Sequence, residues 1–257
     1  MCTTPHRYLD PVRTYQGPPR YIYAGPSWAV SSFPEYQDST NLAWEWGISN
    51  ICTAAHGSSV IYQRDSISEV LETHRLPIIW VYNEPLNSVI ETMGIDLSVF
   101  VTRKDWKQIL AECNRYCLAQ INNLGVPVLL IGGHSDVVNC DYPNITVGCH
   151  SWQKWLAERS GMSVVDDIIK VTPPDGGNYD LGHCWGAETV HRYLHQHPDV
   201  KPDPDLLNAV WDVYYFWDEL QRRDWFFEVH PNKRGNIEFA KFLKPTVDKF
   251  LEENSNG

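Results

Sequence analysis

Four short apolar runs, each cut off by a polar tip, set the rhythm of the first half of the chain. Tyr21-Ile22-Tyr23-Ala24 stops at Gly25-Pro26-Ser27, Asn50–Ala55 at His56-Gly57-Ser58, Pro77–Tyr82 at Asn83-Glu84-Pro85, and Val126–Ile131 at Gly132-Gly133-His134-Ser135-Asp136. Runs of this length, rich in β-branched and aromatic residues and bounded by turn formers, predict buried strands. Between the second and third runs, Val60, Ile61, Ile67, Val70 and Leu71 are spaced among charges over Ser58–Arg75, which predicts an amphipathic helix behind a serine cap. A second helix is predicted over Asp105–Leu124, stopped by Gly125, while residues 86–104 fit neither pattern. Strands that alternate with helices and each close on a polar loop predict a parallel βαβ sheet with helices on both faces.

Beyond residue 140 the periodicity loosens. A fifth strand is predicted over Asn144–Gly148, a short helix over Trp152–Arg159, and a long loop over 163–186 broken by Pro173-Pro174-Asp175-Gly176-Gly177. Ala187–His195 and Asp203–Arg223 have helical spacing, and a last helix follows His230-Pro231-Asn232 with Ile237, Phe239, Phe242, Leu243, Val247, Phe250 and Leu251 as its apolar positions. Residues 1–19 hold four prolines and few apolar positions, so they read as an arm, with 20–257 as a single domain.

Composition narrows the function. A chain of 257 residues, 43% hydrophobic, can bury one substantial core. Its net charge of −11 and pI near 5.3 exclude a phosphate-backbone partner, since nucleic-acid binding needs a basic stripe. No run approaches the roughly 18 apolar residues of a membrane span, and the first residues lack a signal-peptide core. Seven cysteines, odd in number and scattered, predict reduced thiols and a cytoplasmic location, with Cys113 and Cys117 as core residues. Glu188, His191, His195 and His197 have helical spacing but read as a histidine-rich surface helix, so neither metal nor organic cofactor is expected.

The candidate chemistry begins at Ser27. A serine just past the C-terminal end of a parallel strand lies where open α/β sheets bind ligands, although after Gly-Pro it also suits an ordinary helix cap. Gly25-Pro26-Ser27, Gly57, Asn83 and His230-Pro231-Asn232 with Gly235 follow one another in an order that resembles the blocks of the SGNH (GDSL-type) hydrolase family. The resemblance implies a flavodoxin-like three-layer α/β/α sandwich with a central parallel sheet and an esterase using no cofactor. By the same resemblance Ser27 is the nucleophile and His230 the general base, with the backbone N–H groups of Ser27 and Gly57 and the side chain of Asn83 as oxyanion donors. A serine needs such a base and such donors to attack a carbonyl.

Two positions depart from the family pattern. Pro26 stands where an aspartate is usual, and Phe227 where the triad acid is usual. The candidates for orienting His230 are therefore the Phe227 carbonyl, then Asp224, with Glu228 on the same face of an extended segment. Trp28 and His134 are the candidates for substrate contact, the substrate being a small-molecule or carbohydrate ester. An inactive SGNH-like binding or assembly protein and an acyltransferase are the alternatives.

Overall fold

The computed structural model describes residues 17–30, 40–162, 170–171, 179–180, 186–227 and 230–254. In chain order the elements are β1 (Tyr21–Ala24), α1 (Leu42–Trp46), β2 (Asn50–Cys52), α2 (Val60–Leu71), β3 (Ile78–Val81), α3 (Pro85–Met93), α4 (Leu97–Phe100), α5 (Trp106–Asn122), β4 (Val128–Ile131), β5 (Ile145–Cys149) and α6 (Trp152–Ser160). They continue with β6 (Lys170–Val171), β7 (Tyr179–Asp180), α7 (Ala187–Gln196), α8 (Pro204–Arg222), β8 (Phe226–Phe227), β9 (His230–Pro231) and α9 (Lys233–Asn254).

β1 to β5 form one sheet in the order β2-β1-β3-β4-β5, and every pairing is parallel. Helices cover both faces, so the architecture is the three-layer α/β/α sandwich in flavodoxin-like strand order. The inner strands are buried on both sides, which explains why they read as continuous apolar runs. Alternate residues still serve different layers: Ile22, Ile78, Trp80, Val128 and Leu130 pack with α2, α3 and α5. Tyr21, Tyr23, Ile79, Val81, Leu129 and Ile131 pack with α1, α6 and α9. α8 serves both layers, giving Leu206 and Val210 to the first and Val213, Trp217 and Leu220 to the second. Each large side chain so buried contributes about 1.5–3 kcal/mol against leaving it in water.

Several elements differ from the sequence reading for local reasons. The strand expected over 50–55 ends at Cys52, although the Thr53 and Ala55 N–H groups still donate to Tyr23 O (2.8 Å) and Gly25 O (3.1 Å). α2 is capped by Ser59, whose Oγ accepts from Tyr62 N at 3.1 Å, because Ser58 is turned toward the first loop instead. Residues 86–104, left unassigned above, contain α3 and α4. α3 has no side-chain cap because Glu84, at its N-cap, directs its carboxylate to Thr189 on α7. α1 was not expected; Asn41 Oδ1 caps it at Trp44 N and Gly47, at φ +67°, ends it. Most of the 163–186 loop and of the 1–19 arm lies outside the described residues. Among the described residues no helix is long and apolar enough to cross a membrane.

Candidate active site

Ser27, Gly57, Asn83 and His134 all follow the C-terminal ends of strands, those of β1, β2, β3 and β4, and so share one edge of the sheet. The winding direction changes between β1 and β3, which opens the crevice where such sheets bind ligands. Ser27 and Asn83 flank that point. Gly25 makes the turn possible: its φ is +146°, and a Cβ there would lie 2.7 Å from Ala29 Cβ and 2.8 Å from Val81 O. Pro26 O accepts from Ala29 N at 2.8 Å, closing a turn rather than a helix, so Ser27 is not a helix cap. Its Oγ lies 2.8 Å from His230 Nε2.

His230 arrives from the far end of the chain on a small hairpin. β8 pairs antiparallel with β9, setting Phe226 opposite Pro231 and Phe227 opposite His230. Asn232 anchors this hairpin at its base. Its Oδ1 accepts from Gly235 N at 2.9 Å, capping α9, and its Nδ2 donates to Asp224 O at 3.0 Å. Gly235 leaves room for the Trp225 carbonyl, which a Cβ would meet at 3.0 Å. Asn236 Nδ2 donates to Pro231 O at 3.1 Å. The conspicuous residues around His230 thus act by holding the imidazole over Ser27.

Burial chiefly, with the positive charges of His134 and His56 adding to it and Glu188 opposing, depresses the His230 pKa to about 4. The ring is therefore neutral at pH 7, the form that accepts a proton. The donors around the serine are tied to one another. Gly25 O accepts from Ser58 Oγ (3.2 Å) and Gln63 Nε2 (3.2 Å), and Asn83 Nδ2 donates to Ser58 O at 2.6 Å while Asn83 Oδ1 accepts from Trp80 Nε1 at 3.0 Å. Asn83 is thus part of a clamp between two loops. Gly57 is exposed, at φ +65° with open space where a Cβ would go; its backbone angle, not crowding, calls for glycine.

Three expectations from the sequence change. Trp28 is 1% exposed and packs its ring against Trp152, Phe226 and His134, so it is a wall behind the serine turn and offers no face to a substrate. His134 is buried too, its Nε2 3.1 Å from Glu188 Oε2. Asp224 is exposed at the foot of the hairpin, at φ +60°, where its carboxylate accepts from Asn232 Nδ2 at 3.4 Å; its described contacts lead away from His230. Glu228 lies outside the described residues. The Phe227 carbonyl belongs to the residue directly across the hairpin from His230. Accordingly, Asp224→Ala should keep most of the wild-type kcat/KM toward any ester the protein turns over, because its described side-chain contact is with Asn232 and not with the imidazole. A loss as deep as that of His230→Ala, in a protein with unchanged circular dichroism, would place the acid at Asp224 after all.

Sequence reasoning missed Glu84 and Glu188 as members of this edge. Glu188 stood out only by its spacing to His191 and His195, but the His191 ring packs 4.3 Å from Tyr214, and no metal-holding group of three His, Cys, Asp or Glu occurs among the described residues. No local signal pairs residue 188 with residue 134. Compared with family models, with curated proteins and with solved structures, the chain finds no match in any of the three.

Proposed function

We propose that this chain is a serine hydrolase of SGNH type that cleaves an ester or O-acyl bond of a small molecule or carbohydrate. The observation that carries the reading is the 2.8 Å contact of Ser27 Oγ with a neutral, largely desolvated His230 at the ligand-binding edge of a parallel sheet. In the proposed reaction His230 Nε2 takes the Ser27 proton as Oγ attacks the carbonyl carbon. The oxyanion is stabilised by the Ser27 and Gly57 N–H groups and by the Asn83 side-chain amide. His230 then gives its proton to the departing alcohol, leaving an acyl-serine that water cleaves by the same steps. A cytoplasmic location belongs to the same proposal and is supported by the free thiols of Cys113, Cys117, Cys140 and Cys149.

The test is turnover of p-nitrophenyl esters of graded chain length by wild type and Ser27→Ala. Wild-type turnover that disappears in the variant is the expected result. Equal rates for the two at every chain length would remove the hydrolase reading and leave a binding or assembly role for the fold.

A further inference from the structure

Behind the serine turn lies a second imidazole, paired with a carboxylate, that the proposed reaction does not use. His134 Nε2 is 3.1 Å from Glu188 Oε2, and the other carboxylate oxygen of Glu188, Oε1, accepts from Arg192 at 2.5 Å. The His134 ring stacks on Trp217 at 6.1 Å between centroids, with 17° between planes, and meets the edge of Trp28 at 5.7 Å. Gln153 locks this arrangement, its Nε2 donating to His134 O at 3.1 Å and its Oε1 accepting from Trp217 Nε1 at 2.8 Å. Trp28 also packs on the hairpin that carries the other imidazole. It follows Ser27 in the chain and packs 5.4 Å from Phe226, whose strand carries His230 as its partner.

An ion pair with one partner buried and the other half-buried is poor material for stability, because desolvation offsets much of its attraction. Charged groups held in a cleft beside a nucleophile are a mark of function. We propose that Glu188 and His134 are positioning residues for the proposed hydrolase: Glu188 holds His134 as an imidazolium beside the serine turn, and that fixed cation adds to burial in keeping His230 in its neutral, proton-accepting form.

The charges facing each ring agree with this. Around His230 they are His134 on the loop after β4, Glu188 on α7 and His56 on the loop after β2. Around His134 they are Glu188 and Arg192 on α7 and Glu84 on the loop after β3. Burial works against a charged His134, but the Glu188 hydrogen bond and the charges of Glu188 and Glu84 outweigh it and raise its pKa. Burial likewise works against a charged Glu188, yet the contact with His134 and the Arg192 charge bring it down to about 2. Between the His230 midpoint near 4 and the raised midpoint of His134, one ring is charged and the other is not.

The role rests on the hydrolase reading, but its test need not. Imidazole Cε1–H signals of the whole protein are followed by NMR against pH in wild type, Ser27→Ala and His134→Gln. In wild type and Ser27→Ala the two rings titrate on opposite sides of the ordinary histidine midpoint of about 6.5, His134 above it and His230 below. In His134→Gln the His230 midpoint rises by about one pH unit, the sign expected when a neighbouring cation is removed. Coincident titrations near 6.5 in wild type, or a His230 midpoint unmoved or lowered in His134→Gln, overturns the proposal whether or not esters are turned over. Should His134→Gln fail to fold, Glu188→Gln is read instead: the His134 midpoint falls with its partner's charge gone, and one that stays put overturns the assignment of Glu188.

Discussion

Ester turnover is expected to hold as the pH falls through 6 and to fail only near pH 4. kcat/KM reports the ionisation of the free protein, and a general base works only while neutral. An ordinary histidine, with a midpoint of about 6.5, would lose half its activity there. His230 is held neutral down to about 4 by burial first and by the His134 cation second, so the acid limb of the profile moves to that value. His230→Ala should lower kcat by about four orders of magnitude or more, because among the described residues His230 is the base shown in contact with Ser27 Oγ. Stopped assays from pH 3.5 to 8, with circular dichroism at each point, check both statements. An acid limb centred near 6.5 would show that the ring is solvated during turnover, and activity retained in His230→Ala would show that Ser27 draws on another base.

Gly25→Ala is expected to cost about 3 kcal/mol or more and most of the turnover. The added Cβ meets Ala29 Cβ at 2.7 Å, Val81 O at 2.8 Å and Val81 Cβ at 2.9 Å, and the φ of +146° disfavours any side chain. None of the three atoms is the end of a flexible side chain, so β1 and β3 must part or the turn must move. Either way the displacement reaches the edge that carries Ser27, since Gly25 O accepts from Ala55 N, Ser58 Oγ and Gln63 Nε2 and holds the Gly57 loop in place. Thermal unfolding should fall by about 10 °C, given about 2–4 °C per kcal/mol for a domain of this size. Gly47→Ala is the control: its φ is also positive but nothing lies within 4 Å of the added atom, so it should cost only about 1 kcal/mol. A Gly25→Ala protein that melts within about 2 °C of wild type would mean the turn is looser than its contacts imply.

What the sequence determined by itself is what local spacing encodes. Four residues of unbroken apolar character can only be buried on both faces, so β1, β3 and β4 were legible, and α5 with Gly125 behind it was legible from its periodicity. The parallel sheet and its functional edge followed from strands that each stop at a polar tip. The neighbours across that edge were decided by tertiary structure alone. Ser27 and His230, 203 residues apart, were joined on paper only through resemblance, and it is the hairpin fastened by Asn232 that sets their distance. α3 escaped notice because the side chain that would have signalled its start, Glu84, is spent on Thr189. Trp28 looked available to a substrate because nothing in its neighbours along the chain tells that Trp152 and Phe226 close over it. Glu188 looked like a surface or ligand residue because its partner, His134, lies on another strand's loop. Periodicities of two and of 3.6 are properties of adjacent residues, whereas the desolvation and charge that keep His230 neutral come from segments far apart in the chain, which meet only once the sheet has closed.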